Sequence, residues 1–219
     1  MPEKHSLLLI GGGGHCKSVI DTLRSSCHYD RIGIAEKRIA GENLNYRIEG
    51  IPIIGFDDEL ETLKKQGYEA AFITVGSVGN PALRKKLFER IKDAGFIIPN
   101  IIDKTSIISG NIKMGTGIFI GKGVIINTNS MLGDGVIINS GSIVEHECNI
   151  GNFVHVSPGS VLCGNVTVGD EAHIGAGSIT KQGICIGDGT IIGMGSVVLH
   201  DIGPYKTAYG NPCREVCNG

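Results

Sequence analysis

The stretch "IGKGVIINTNSMLGDGVIINSGSIV", Ile120 to Val144, repeats an aliphatic residue every six positions: Ile120, Ile126, Leu132, Ile138, Val144. Extended in both directions, the same step runs from Ile102 to Val198, and 16 of its 17 positions are aliphatic or Met, Thr180 being the exception. Four residues after each of these the chain carries a small or β-branched residue, and Gly often follows directly. A period of six with two inward positions fits a short strand followed by a tight corner. Three such sides close a coil of 18 residues in which the bulky residue fills the axis and Gly supplies the turn conformations that other residues resist. No insertion breaks the register, so the pattern predicts five to six stacked coils of a parallel β-helix over residues 101–203. The tail "DIGPYKTAYGNPCREV" leaves the pattern, and residues 204–219 read as an extension that caps the coil or crosses to a neighbour.

Residues 1–100 read as an α/β domain. "SLLLIGGGG" is an apolar strand entering a glycine turn, followed by helix from about His15 to Ser25. "RIGIAE", "PIIG" and "EAAFITVGS" are further strands. "DDELETLKKQG" reads as a helix with an acidic start and basic end, and "NPALRKKLFERIKDAG" as one with Asn80 as N-cap, Pro81 in its first turn and Gly95 as its stop. Strands alternating with helices predict a Rossmann-like parallel sheet. The glycine turn is no G-x-G-x-x-G fingerprint, because Cys16 or Lys17 stands where the third glycine would be. It reads equally as a tight strand-to-helix turn or as a set of backbone N–H groups facing a phosphate.

Composition excludes several functions. A net charge of −2 with scattered Lys and Arg leaves no basic stripe, which argues against nucleic-acid binding. No apolar run reaches the roughly 20 residues of a membrane helix, and "SLLLIG" is too short for a signal-peptide core. The seven cysteines are odd in number and fall in no metal spacing, which predicts reduced thiols in a cytoplasm and no metal.

"VEHECNIGNFVHV", Val144 to Val156, sets His146, Glu147 and His155 into this aliphatic repeat. An amine or hydroxyl must lose its proton to act as a nucleophile, and histidine, with a pKa of about 6.5, is suited to take it at neutral pH. Glu147 next to His146 would raise its basicity and orient the ring. The alternative on spacing alone is a solvated polar face, as the outward positions of His173 and His200 illustrate. His146 and His155 are nine residues apart, half a coil, and so lie on different sides of one prism. They share a site only if neighbouring subunits pack, which predicts a homotrimer with clefts between subunits. Cys148 falls in an inward slot, against its use as an exposed nucleophile. Ala176 and Met194, one coil apart, fall in register on one outward face.

The hexapeptide pattern resembles the left-handed parallel β-helix acyltransferases. With "GGGGH", "GIAEK", "ITVGS", "LRKKL", "NSGSIVEHECNIGNFVHVSPG" and "GNPCRE", the whole chain resembles the bacterial sugar acetyltransferases with an N-terminal nucleotide-sugar domain, which include UDP-4-amino-sugar N-acetyltransferases and sialic acid O-acetyltransferases. The resemblance implies the left hand of the helix, acetyl-CoA as co-substrate, His146 as general base, Glu147 as its modulator, His155 as a donor to the thioester and the Gly164 N–H as an oxyanion donor. It implies nucleotide-sugar binding by Gly13, Gly14, His15, Glu36, Lys37 and Gly76, and CoA binding by His155, Ala176, Met194 and Arg214, with Lys206 a further cation near the phosphates. Where the family often carries two acidic residues after the second strand, this chain has Ala35-Glu36-Lys37.

The function expected is acetyl transfer from acetyl-CoA to an amino group of a UDP-activated amino-deoxy sugar for bacterial surface glycans, in the cytoplasm. The alternatives are O-acetylation of a sialic-acid-like sugar and a non-catalytic trimeric nucleotide-sugar scaffold. A hexapeptide nucleotidyltransferase would carry a longer Arg- and Lys-containing glycine loop.

Overall fold

The computed structural model describes residues 6–26, 29–38 and 46–216; Cys27 and Cys217 lie outside them, and the five described cysteines are all free thiols. The chain divides into two compact units. One is Met1–Gly76 with Ala82–Ile101, the other Ser77–Pro81 with Ile102–Gly219.

The first unit is a five-stranded sheet. Its elements are β1 (Ser6–Ile10), α1 (Gly14–Ser26), β2 (Arg31–Glu36), β3 (Arg47–Ile48), β4 (Ile51–Phe56), α2 (Leu60–Lys65), β5 (Ala70–Ile73) and α3 (Ala82–Asp93). The strand order is β3-β4-β2-β1-β5, parallel except for the short β3. β1 is buried along its whole length, as its unbroken apolar run requires of a central parallel strand. Leu8 and Ile10 join Leu60 and Leu63 of α2 and Leu87 and Ile91 of α3 in one cluster. α1 buries Cys16, Val19, Ile20 and Leu23, one stripe at helical spacing. Burial pushes the Cys16 thiol up to about 11.

Two helix starts differ from the sequence expectation. α2 begins at Leu60, so Asp57 and Asp58 form the turn after β4. The Glu59 N–H closes that turn on Phe56 O, and the Asp57 N–H is held by Glu36 O at 2.8 Å. α3 begins at Ala82, directly after Pro81, one residue later than the sequence reading placed it.

The second unit is a left-handed parallel β-helix. Two-residue strands follow one another every six residues from β6 (Ile101–Ile102) to β22 (Val197–Val198). Every third strand pairs in parallel with an 18-residue register, as in Ile125↔Ile143 and Ile126↔Val144. Three flat sheets result, with the inward residues Ile120, Ile126, Leu132, Ile138 and Val144 buried on the axis. Corner columns take the left-handed backbone: Gly123, Gly141, Gly159, Gly177 and Gly195 have φ between +64° and +69°. From Ile118 onward the residues four places after the axial ones are buried, and the Ser142 hydroxyl donates to Ser157 O, 15 residues on, at 2.9 Å. Cys148 occupies this layer, 1% exposed, and its Sγ lies against Cys163 O.

The tail first extends one sheet and then closes it. β23 (Thr207–Tyr209) pairs in parallel with β21 (Ile191–Ile192), and β24 (Arg214–Val216) folds back antiparallel on β23.

Candidate functional sites

In the first unit the strand order reverses direction at β1, with β2 on one side and β5 on the other. Such a reversal leaves a crevice at the carboxyl ends of the strands. Here it is a cavity of about 480 Å³ reached by Gly13, Glu36, Lys37 and Gly76. Gly11 has φ +100°, and a Cβ on Gly12 would collide with the Glu36 carboxylate and Ile48. Nothing lies within 4 Å of a Cβ on Gly13, so the turn presents open backbone to the cavity. The Thr74 hydroxyl ties the ends of β5 and β1 through Ile10 O at 2.9 Å. Gly14 opens α1 and His15 follows; neither lines the cavity, though His15 Cβ would lie 3.7 Å from a Cβ on Gly76. The cavity also takes Asp57, Lys86 and Arg90, which the sequence reading assigned to the starts and faces of helices. The signal for Asp57 is its position: an acidic residue directly after a parallel strand.

In the second unit, the corner after β13 (Ile143–Val144) carries His146 and Glu147. The backbone of Glu147 has φ +61°, in a column where Asn129 and Asn165 stand one coil before and after. Asn tolerates this conformation well and Glu does not, so the carboxylate is held at a cost of roughly 1–3 kcal/mol. Glu147 Oε2 lies 3.2 Å from His146 Nδ1. A carboxylate only accepts, so Nδ1 carries the proton and Nε2 of the neutral ring offers a lone pair. One coil on, Gly164 lies under the same ring: a Cβ there would fall 2.5 Å from Cε1 and Nε2 of His146. Gly164 O accepts the Gly183 N–H, while among the described residues the Gly164 N–H has no acceptor. The structure thus brings His146, Glu147 and Gly164 together.

His155 lies on β15 (His155–Val156), in a different sheet from the corner of His146. It points outward yet is 8% exposed, and its Nδ1 donates to the backbone carbonyl of Ser77. A neutral His155 therefore has its one N–H engaged, and donation from Nε2 requires the imidazolium. His173 on β18 (His173–Ile174) pairs with it in register, the two rings edge to face at 5.1 Å. The sequence expectation of a solvated His173 is corrected: it is 7% exposed and burial lowers its pKa, whereas His200 is exposed. These two histidines, Ala176, Met194 and Val78 line a cavity of about 570 Å³. Ala176 O accepts the Gly195 N–H, so Met194 lies one coil beyond it on the same face. Arg214 stands apart on β24, its Nη1 donating to Cys213 O, and Lys206 pairs with Glu215 at 3.6 Å. Burial raises the Cys148 thiol, which stays protonated and unreactive. Among the described residues no three His, Cys, Asp or Glu side chains gather as a metal site would need.

Residues 6–91 match the PglD N-terminal domain, and residues 147–182 the bacterial transferase hexapeptide of six repeats. No curated protein sequence matches the chain. Among solved structures, it is similar to a variant of GDP-perosamine N-acetyl transferase from Caulobacter crescentus in complex with CoA and GDP-perosamine: 34% identity, 97% of each chain covered, TM-score 0.89. The acetyltransferase domain of PglB from Neisseria gonorrhoeae, in complex with acetyl coenzyme A, is 31% identical with a TM-score of 0.87, over 97% of this chain and 100% of that one. WeeI from Acinetobacter baumannii is 25% identical over the same shares, with a TM-score of 0.85. The open glycine turn, the His146–Glu147–Gly164 corner and these likenesses converge: the chain belongs to the bacterial sugar acetyltransferases that join a PglD-type N-terminal domain to a left-handed hexapeptide-repeat β-helix.

Proposed function

We propose that the chain transfers the acetyl group of acetyl-CoA directly to an amino group of a nucleotide-activated amino sugar. The observation that carries this reading is the His146 corner, where Glu147 fixes the proton on Nδ1 and the Gly164 backbone lies beside Nε2. Nε2 takes a proton from the neutral sugar amine as its nitrogen attacks the thioester carbon. The carbonyl oxygen gains negative charge against the Gly164 N–H, the carbon–sulfur bond breaks, and the CoA sulfur leaves with the proton that the imidazolium returns. The products are an acetamido sugar and free CoA. The buried Cys148 thiol supplies no acyl-enzyme step.

The likeness to a GDP-perosamine N-acetyl transferase supports an amine acceptor on a nucleotide sugar, held in the crevice by Gly13, Glu36, Lys37 and Gly76, with Gly14 and His15 at the start of α1 behind the turn. We assign CoA to the cavity of His155, Ala176 and Met194, with Arg214 toward its phosphates. Because His146 and His155 occupy different sides of one coil, a complete cleft draws them from two subunits of a homotrimer; light scattering that found a fully active monomer would refute this. No described helix is long and apolar enough to cross a membrane; use of acetyl-CoA and a nucleotide sugar supports a cytoplasmic reaction.

The test is mass spectrometry of products from acetyl-CoA with UDP- and GDP-linked amino sugars and with sialic acids. The reading requires a gain of one acetyl group on an amine. Acetylation confined to the hydroxyl of a sialic acid, or no product at all, would reject it.

A further inference from the structure

The crevice in the first unit holds more charge than a diphosphate and a ribose use. Its floor runs outward across the sheet from the glycine turn after β1 to Glu36 at the end of β2 and Asp57 after β4, because β4 lies next to β2 on the side away from β1. From α3 it takes Leu83, Lys86, Leu87 and Arg90, whose spacing of three, one and three puts them on one helix face. The two carboxylates are differently engaged. Glu36 Oε1 accepts the Lys37 N–H at 2.9 Å, and Oε2 sits over Gly12, beside the phosphate-facing turn. An acidic residue at the end of the second strand suits a ribose hydroxyl. Asp57 lies one strand farther out, its side chain 20% exposed, with Arg90 Nη1 at 4.0 Å. That separation is too long for a hydrogen bond, so both groups keep their hydrogen-bonding capacity. Burial pushes the Asp57 carboxyl up while Arg90 opposes the shift.

We propose that Asp57 and Arg90 read the base of the nucleotide and select a keto base, guanine ahead of uracil. This rests on the reading of the crevice as the nucleotide site. An anionic acceptor beside a cationic donor complements an N–H next to a C=O. Guanine offers that pattern at N1–H and O6, and uracil at N3–H and O4. Adenine and cytosine offer the reverse, an amino group beside an unprotonated ring nitrogen, and would set acceptor against donor the wrong way round. Guanine alone adds a second N–H, from its 2-amino group, which lets both carboxylate oxygens of Asp57 accept. Leu83 and Leu87 supply the apolar wall such a ring lies against, and Lys37 and Lys86 are left for the diphosphate.

Calorimetry of the full chain with GDP, UDP, ADP and CDP tests this without any acetyl transfer. Wild type should bind GDP tightest, UDP next, and ADP and CDP at least about tenfold more weakly than GDP, the discrimination of one bidentate contact. Asp57→Asn, which replaces one acceptor by a donor, should reduce the GDP-over-ADP ratio to within about threefold, and Arg90→Gln should weaken GDP and UDP together. A far-UV circular dichroism spectrum and melting curve matching wild type report that each variant is folded. Nucleotide binding without preference among bases, UDP tighter than GDP, or an unchanged preference in Asp57→Asn overturns the assignment to Asp57 and Arg90 alone. Loss of all nucleotide binding in wild type, with acetyl-CoA still bound, overturns the nucleotide reading of the crevice and this proposal with it.

Discussion

The carboxylate of Glu147 sits 3.2 Å from Nδ1 of His146, and the two side chains, 58% and 46% exposed, meet at a corner where Glu147 has φ +61°. A pair this open to water gains little stability from its charges. Its effect lies in the tautomer: the carboxylate keeps the proton on Nδ1 and frees Nε2. Glu147→Gln should therefore lower kcat by about tenfold with little change in either KM, since the amide still reaches Nδ1 but can also present its N–H₂ and favour the other tautomer. Steady-state kinetics on both substrates checks it, and an unchanged kcat would remove Glu147 from the reaction.

Gly164→Ala should cost about 10²-fold in kcat with a melting temperature close to wild type. The added methyl would lie 2.5 Å from the His146 ring, which is free to swing toward solvent and lose its aim. Wild-type turnover in a folded Gly164→Ala protein would show that the ring does not act from this position.

Ala176→Trp should raise KM for acetyl-CoA by about tenfold or more and leave KM for the sugar nearly unchanged. The indole would fill much of the cavity that Ala176 shares with His155 and Met194, which His146 of the same chain does not line. Equal effects on both KM values would move CoA to another face.

Stability should depend on pH through His173. Burial favours its neutral ring, so the folded chain binds this proton at lower pH than the unfolded chain does. The stabilisation is complete above the ordinary histidine range and is lost as pH falls below about 6.5, with a limiting slope of about 1.4 kcal/mol per pH unit for one group. Melting curves from pH 7.5 to 5 should fall more steeply for wild type than for His173→Gln. Parallel curves would contradict the assignment.

The β-helix was legible because one signal, an aliphatic residue every six positions, sets strand, corner and stacking at once, and Ile125 pairs with Ile143 as the 18-residue coil requires. The corner of His146 was legible for a different reason: a histidine directly beside a carboxylate is a recognisable general-base pairing, even among corners that carry other charges. What stayed hidden depends on contacts between residues distant in sequence. Periodicity puts His173 on the outside, and only the packing around it decides that outside is buried. Ser77 stands in a strand-end motif, and nothing local to it reveals that its carbonyl meets His155, 78 residues on. Asp57 was read as a helix start because two acidic residues before a helical pattern are a common N-terminal signature; the Glu36 carbonyl holding its N–H keeps it in the turn beside the crevice instead.

The most direct measurement is turnover of His146→Ala at saturating acetyl-CoA and amino-sugar nucleotide, followed by thiol release. Loss of a general base predicts a fall in kcat of about 10² to 10⁴ with both substrates still bound and the melting temperature preserved. A kcat within about twofold of wild type, an order of magnitude outside that range, would contradict proton transfer at His146 and with it the proposed mechanism.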